Sequence, residues 1–373
     1  MFEILKKDNS PFEMNTPAQR MIFISLTDAP NGAENVLLMM ATAVNGEMYF
    51  LKKHAFTGLK ISEGISKRYL SKKAIFWGFV KLIPLLRKYR EDDVLMSTHP
   101  YLNAFLGFLK RIGYLRSKLI VRECTSVFTR FTGIKKRIYK VIYRMGYPAV
   151  DLVVCQTALM KIQLLDHNRF LSKQNVLVQP NPIDFNKIIA KSGQPLINGD
   201  AKLDFICSAG RLIPEKGFSV LIKAFKLIQH EHPKLKLLVL GEGKERASLI
   251  NIIQENNLSD SVFLKGQIDN PAPYFKQAKL CVVSSIKEGF PNVLLEMMSV
   301  NNAVVSTLCA GGISEIPAIA KVEVNNVEAL AEAMGRKLKQ NQHQSSEIAM
   351  QYLYSRRPEI FAQSILNALK HQS

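Results

Sequence analysis

The residues best suited to chemistry in this chain lie at 288–296, EGFPNVLLE, where two carboxylates, Glu288 and Glu296, flank Gly289, Phe290, Pro291, Asn292 and Val293. Upstream, KLCVVSSI (279–286) is apolar and β-branched, the composition of a buried parallel strand. Pro291 suits the first turn of a helix, where its missing N–H costs nothing, and NVLLEMMSV continues at helical spacing. This puts Glu288 in a loop, Glu296 about one turn into the helix, and the amides of residues 289–293 at a helix start that attracts an anion, phosphate above all. Two acids beside a bound anion serve as acceptors for neutral hydroxyls, which a sugar nucleotide carries on both sides of its diphosphate. Taken alone, the spacing also fits an ordinary strand, loop and helix with two solvated acids.

Other loops supply matching groups. After the strand-like FICSAG comes RLIPEKGFSVLIKAF (211–225), with Arg211 and Lys216 placed to neutralise a diphosphate. The loop GEGKER (241–246) brings Gly241 and Gly243, half of a dinucleotide fingerprint that lacks its third glycine, so it favours close backbone approach to a nucleotide rather than nicotinamide binding. In the first half, DAPNGAENVLLMM (28–40) places Asn31, Gly32 and Glu34 in a strand-to-helix loop, and His99 follows DVLMS. A tight turn and a structural histidine are the plainer accounts of these two. The sequence contains no G-x-S-x-G, H-E-x-x-H or Walker-type phosphate loop and no D-x-D, so a metal-bridged diphosphate is not indicated.

The elements that must position these residues alternate in type. Strand-like runs at 20–26, 93–97, 118–122, 151–155 and 175–179 are separated by helical stretches, and a second series follows at 203–210, 236–241, 262–266, 280–285 and 303–307. Two βαβ series argue for two similar α/β domains with parallel sheets, whose ligands sit at the carboxyl ends of the strands and in the crevice between domains. The 373 residues suffice for both cores. We expect a first domain over 1–183, a linker over 184–202 marked by its Pro and Gly, a second domain over 203–355, and a terminal helix over 356–373 packing back toward the first.

Charge is uneven. Residues 1–200 hold 30 Lys+Arg against 15 Asp+Glu, residues 201–373 hold 20 against 16. In IKKRIYKVIYRM (134–145), helical phasing puts Lys136, Arg137, Lys140 and Arg144 on one face and Ile138, Val141, Ile142 and Met145 opposite, a basic stripe over an apolar one. Such a helix attracts anionic lipid or nucleic-acid phosphates, and equally fits a solvated face over a core stripe. The segment 71–90, with Trp77 and a Pro84 that interrupts it, reads first as a core or docking helix. Five scattered cysteines suggest neither a zinc site nor a disulfide framework, and no apolar run reaches membrane-spanning length. The expected location is cytoplasmic, peripheral on the inner face of the cytoplasmic membrane.

Together EGFPNVLLE, GRLIPEKGF, GEGKER, FLKGQIDNPAPYFKQA and the NGAE loop resemble, in order and spacing, the retaining glycosyltransferases of family 4, which have the GT-B fold of two Rossmann-like βαβ domains facing a central crevice. The resemblance implies transfer of a sugar, with retention and without a metal or cofactor, from a nucleotide sugar, UDP-linked rather than GDP-linked. The hydroxyl acceptor would be a glycan, polyprenyl-diphosphate-linked, in bacterial polysaccharide or glycoconjugate synthesis, at an anionic inner-membrane surface and with no nucleic-acid partner. By the same resemblance Arg211 and Lys216 hold the diphosphate, Glu288 contacts the donor sugar, Glu296 binds ribose hydroxyls and His99 lies near the donor sugar. Arg122 and Glu123 in LIVRECTS resemble a polar pair of members acting on lipid-linked oligosaccharides. Two features depart from the pattern: Asn31 replaces the first glycine of the usual GGAE loop, and the loop after Glu315 is short. A nucleotide-sugar epimerase and a non-catalytic sugar-nucleotide-binding protein share the same fold and remain alternatives.

Overall fold

The computed structural model describes residues 19–54, 58–59, 64–196, 199–340 and 346–370. They form two units, one holding the described residues up to Pro182 and from Pro358 on, the other Ile183–Arg357.

The first unit is built on a seven-stranded parallel sheet of order β3-β2-β1-β4-β5-β6-β7. Its strands are β1 (Met21–Thr27), β2 (Glu47–Lys52), β3 (Lys67–Ser71), β4 (Val94–Ser97), β5 (Lys118–Glu123), β6 (Leu152–Cys155) and β7 (Val176–Val178). Helices α1 (Gly32–Ala43), α2 (Ile75–Leu86), α3 (Pro100–Arg111), α4 (Val127–Arg130), α5 (Gly133–Gly146) and α6 (Ala158–His167) connect them. Strands β2 and β3 escaped the sequence reading because EMYFLK and KRYLS carry charges at their ends, as strands near a sheet edge do. Pro84 does not interrupt α2, since it falls in the last turn.

Alternation along β1 shows how two layers share one sheet. Ile22 and Ile24 face a core shared with α2, α3 and α5, whereas Met21 and Phe23 face one shared with α1. Each fully buried aliphatic side chain of this kind contributes about 1.5–3 kcal/mol, so a continuous apolar run is what a strand covered on both faces requires.

The second unit repeats the plan with a six-stranded parallel sheet, β10-β9-β8-β11-β12-β13. These are β8 (Phe205–Ala209), β9 (Lys236–Leu240), β10 (Val262–Gly266), β11 (Leu280–Val283), β12 (Val304–Thr307) and β13 (Ala320–Val322). Its helices are α7 (Phe185–Lys191), α8 (Phe218–Gln229), α9 (Arg246–Glu255), α10 (Ala272–Gln277), α11 (Asn292–Met298), α12 (Val327–Lys339) and α13 (Ser346–Tyr354). The last helix, α14 (Pro358–Lys370), belongs to the first unit, where Phe361, Ile365 and Leu369 enter the core beside α1.

The segment 184–202 is not a free linker. Residues Phe185–Lys191 are helical, Phe185 is buried in the second core, and Asp200 accepts from Tyr274 at 3.0 Å and pairs with Lys265 at 2.9 Å. Its Pro and Gly content marks turns that belong to the second unit.

In each sheet the strand order reverses once, between β1 and β4 in the first and between β8 and β11 in the second. Crossovers leave in opposite directions at such a point and open a cleft beyond the carboxyl ends of the two strands.

Candidate active site

In the second unit, β8 runs into Gly210, Arg211 and Leu212, a single turn Pro214–Lys216, and Gly217, which caps α8. Gly217 lies so close to β11 that a Cβ would stand 2.1 Å from the Ser284 carbonyl oxygen. Two hydrogen bonds fix this approach: Ser284 Oγ donates to the Lys216 carbonyl at 3.0 Å, and Ile286 N–H to that of Glu215 at 2.8 Å. The result is an ion pair, Lys216 Nζ to Glu288 Oε1 at 2.9 Å, with the side chains 17% and 16% exposed. Ser285 also donates its hydroxyl to Glu288 Oε1, and the Glu288 amide donates to the Cys309 carbonyl at 2.9 Å. Arg211 is exposed in the same loop and forms no side-chain ion pair with any described residue.

The loop after β9 presses on the loop after β8. Gly241 has φ +140°, and a Cβ there would lie 1.9 Å from the Gly210 carbonyl oxygen; at Gly243 it would meet that of Leu212 at 2.4 Å. Only glycine tolerates both the conformation and the contact at 241. Leu212 N–H donates to the Glu242 carbonyl and Glu245 N–H to that of Leu212, each at 2.9 Å, so the two loops form one rigid floor.

Two expectations for 288–296 need correction. Helix α11 starts at Asn292 and is seven residues long, with Pro291 as its extended N-cap rather than in its first turn. Phe290 packs into the core instead of facing a ligand, so it acts by seating the loop. Glu296 is half-buried on α11. Burial pushes its carboxyl above the ordinary carboxylate range, with Lys191 and Lys216 acting in the opposite direction. Lys191 was missed because it stood in the supposed linker; Ser285 was missed because nothing in its type distinguishes it.

In the first unit, β1 leads through Asp28 to α1, whose N-cap is Asn31 and whose first residue is Gly32. Glu34, in the first turn and 2% exposed, accepts from His99 Nε2 at 2.8 Å. His99 is the N-cap of α3 at the end of β4, and Ser25 Oγ lies 3.3 Å from the same ring nitrogen. Glu34 Oε2 is buried with no partner among the described residues. The sequence reading overlooked Asp28, which is buried and accepts from the His54 amide at 2.6 Å and from the Tyr69 hydroxyl at 2.8 Å. Burial and this carboxylate push the Tyr69 hydroxyl up to about 12.

Arg122 and Glu123 are not exposed to an acceptor. Arg122 is buried, its guanidinium donating to Asn181 Oδ1, to Cys124 Sγ at 3.0 Å and to Thr98 Oγ1 at 3.3 Å. Glu123 is sealed beneath α5, accepting from Tyr143 at 2.8 Å and from Tyr147, and burial pushes its carboxyl up. The pair fastens helices and the β5 end in place.

The same tyrosines turn α5. Its core face is Tyr139, Tyr143 and Gly146, the last so close to α3 that a Cβ would stand 2.1 Å from the Ala104 carbonyl oxygen. Ile138, Val141 and Met145, expected as the core stripe, are therefore exposed, and only Ile142 of that set is partly buried. Arg137, Lys140 and Arg144 are exposed as expected, whereas Lys136 leans onto His167 Nε2 at 3.0 Å.

Comparison with known proteins agrees with this arrangement. Residues 194–352 match the family described as Glycosyl transferases group 1. The chain is 28% identical over 263 residues to an uncharacterised glycosyltransferase of Methanocaldococcus jannaschii, covering 66% of this chain and 64% of that protein. It is 30% identical over 215 residues, 57% of each protein, to the N-acetylgalactosamine-N,N'-diacetylbacillosaminyl-diphospho-undecaprenol 4-alpha-N-acetylgalactosaminyltransferase of Campylobacter jejuni. The match thus spans less than two thirds of either relative. The crystal structure of Anabaena HepE with UDP and glucose shares the fold at a TM-score of 0.76 and 18% identity, over 94% of this chain and 99% of that one. The stretch that holds Arg211, Lys216, Glu288 and Glu296 carries a Glycosyl transferases group 1 domain of the GT-B type.

Proposed function

We propose that this chain transfers a sugar from a nucleoside-diphosphate sugar, UDP-linked in preference to GDP-linked, to a hydroxyl of a lipid-linked glycan in polysaccharide synthesis. Transfer proceeds with retention and without a metal ion, at the inner face of an anionic membrane. The observation that carries this reading is the Lys216–Glu288 pair, held where the second sheet's strand order reverses and beside the Gly241–Gly243 floor. A cation, an acid and close backbone at one strand end fit a diphosphate with hydroxyls on either side.

In this reading Arg211 and Lys216 neutralise the charge that grows on the leaving diphosphate as the anomeric C–O bond lengthens. The acceptor hydroxyl attacks from the face the diphosphate leaves, and its proton passes to a diphosphate oxygen, so no protein nucleophile is needed. Glu288 orients the donor sugar while sharing Lys216, and Glu296 accepts ribose hydroxyls. His99, held by Glu34, supplies a hydrogen-bonding ring at the end of β4. The activity named for the Campylobacter jejuni relative, with its diphospho-undecaprenol acceptor and alpha linkage, supports the lipid-linked acceptor and the stereochemistry.

Thermal-shift titration with UDP, GDP and ADP, followed by transfer assays with the matching sugars and a polyprenyl-diphosphate-linked glycan, tests this reading. A UDP shift, an alpha-linked product from an alpha-linked donor and turnover that survives EDTA are expected. Conversion of the donor sugar without any acceptor would replace transfer by epimerisation.

A further inference from the structure

Helices α2, α3 and α5 lie side by side over one face of the first sheet. The rings of Phe79 and Phe105 join α2 to α3 at 4.9 Å, and those of Tyr101 and Tyr139 join α3 to α5 at 5.6 Å. On the solvent side of this layer α5 exposes Ile134, Ile138, Val141 and Met145, spaced four, three and four residues apart on a single stripe, with Ile134 76% exposed. At the start of α2, Phe76 and Trp77 are 68% and 52% exposed. A soluble surface scatters such residues singly; a stripe on one helix beside an aromatic pair on a near neighbour in the same layer is a patch that something covers.

Charge says what covers it. Residues 71–90, 99–122 and 124–150, which include all three helices, contain 17 Lys and Arg and not one Asp or Glu. Arg137 and Arg144 border the α5 stripe along one side, and Lys72 and Lys73 precede Phe76. An acid-free cationic rim around apolar side chains complements anionic headgroups above an acyl layer. Nucleic-acid phosphates would meet the cations but leave the isoleucines without a partner.

We infer that this face docks into an anionic bilayer, the α5 stripe and the Phe76–Trp77 end of α2 entering the boundary between headgroups and acyl chains while the cations hold lipid phosphates. The inference deepens the membrane placement proposed above. It differs from adsorption by charge alone, because apolar insertion persists when salt screens the cations.

Trp77 is the only Trp of the chain and reports on this directly. The full chain is floated with phosphatidylcholine vesicles with and without phosphatidylglycerol, at low and high salt, while its emission is followed with lipids brominated near the headgroup end of the acyl chain. Binding to phosphatidylglycerol vesicles, a blue shift and quenching of Trp77, and a bound fraction that partly survives high salt are expected. Ile138→Glu with Val141→Glu, at exposed positions, should weaken vesicle affinity at least about tenfold with Tm and the UDP thermal shift unchanged. Failure to float at low salt would overturn the inference. So would floating with Trp77 unquenched and the double variant unaffected, or a dimer by light scattering that the double variant dissolves. A chain that floats as expected but ignores UDP would sink the donor reading and leave the docking face intact.

Discussion

Lys216 Nζ lies 2.9 Å from Glu288 Oε1, and Ser285 donates its hydroxyl to the same oxygen. In the function proposed above, the cation assigned to the diphosphate is thus paired in advance with the acid assigned to the sugar, and both are aimed by backbone contacts between two loops. Pre-aimed groups need not reorganise as charge develops, which is where an electrostatic site gains most of its effect.

Lys216→Ala should therefore lower kcat by about 10²–10³-fold. The fold should survive, because the pair is partly solvated and its loss costs no more than about 1–3 kcal/mol. Steady-state kinetics beside a thermal melt separates the two effects. Near-normal turnover in a well-folded variant would remove Lys216 from the reaction.

Glu296 gives a pH signature. Burial raises its carboxyl in the folded chain above the unfolded value, so the native state binds the proton more tightly. The stability this residue contributes is full below the ordinary carboxylate range and is lost as pH rises through the folded value. Glu296→Gln mimics the protonated form. It should raise Tm by a few degrees at about pH 8, with the gain vanishing in acid, while the donor KM rises about tenfold as one of two acceptor oxygens for the ribose becomes an NH2 donor. Melts across pH and donor titrations check both halves; an unchanged KM would separate Glu296 from the nucleotide.

The parallel order of the core strands was legible because runs such as LVVC and LCVV are apolar at every position, as burial on both faces demands. Arg211, Lys216 and Glu288 could be placed at strand ends for the same reason. What stayed hidden was orientation. Helical phasing separated the charged and apolar faces of α5, yet its core side is set by Glu123 drawing in Tyr143 and Tyr147, and by Gly146 meeting α3, both long-range contacts. Arg122 and Glu123 were misplaced for the matching reason: charge suggests solvent, whereas here partners mostly distant in sequence hold it in the interior.

Gly241 tests the floor of the site. Its φ of +140° and the 1.9 Å that would separate a Cβ from the Gly210 carbonyl oxygen leave no relaxed position for alanine. Gly241→Ala should cost at least about 2–3 kcal/mol and disturb both loops at once, so that the UDP thermal shift falls along with Tm. Gly335→Ala, at a helical glycine with open space around its Cβ position, is the control and should be neutral or slightly stabilising. Equal Tm for the two variants would show that the contact between the 210 and 241 loops is soft.

His99 and Glu34 offer a test that does not rely on turnover. Glu34 sits in the first turn of α1, where the helix start favours negative charge, and its carboxylate can only accept. The proton of a neutral His99 ring must then reside on Nε2, leaving Nδ1 as an acceptor for a substrate hydroxyl. Nitrogen NMR of the labelled chain should show the Nε2-protonated tautomer. Glu34→Ala should release it to a mixture and lower transfer about tenfold or more, and Glu34→Gln, whose amide oxygen still accepts, should restore the tautomer in part. A predominantly Nδ1-protonated ring in the unsubstituted chain would mean that Glu34 does not orient His99, and the first unit's contribution to the reaction would have to come from other residues.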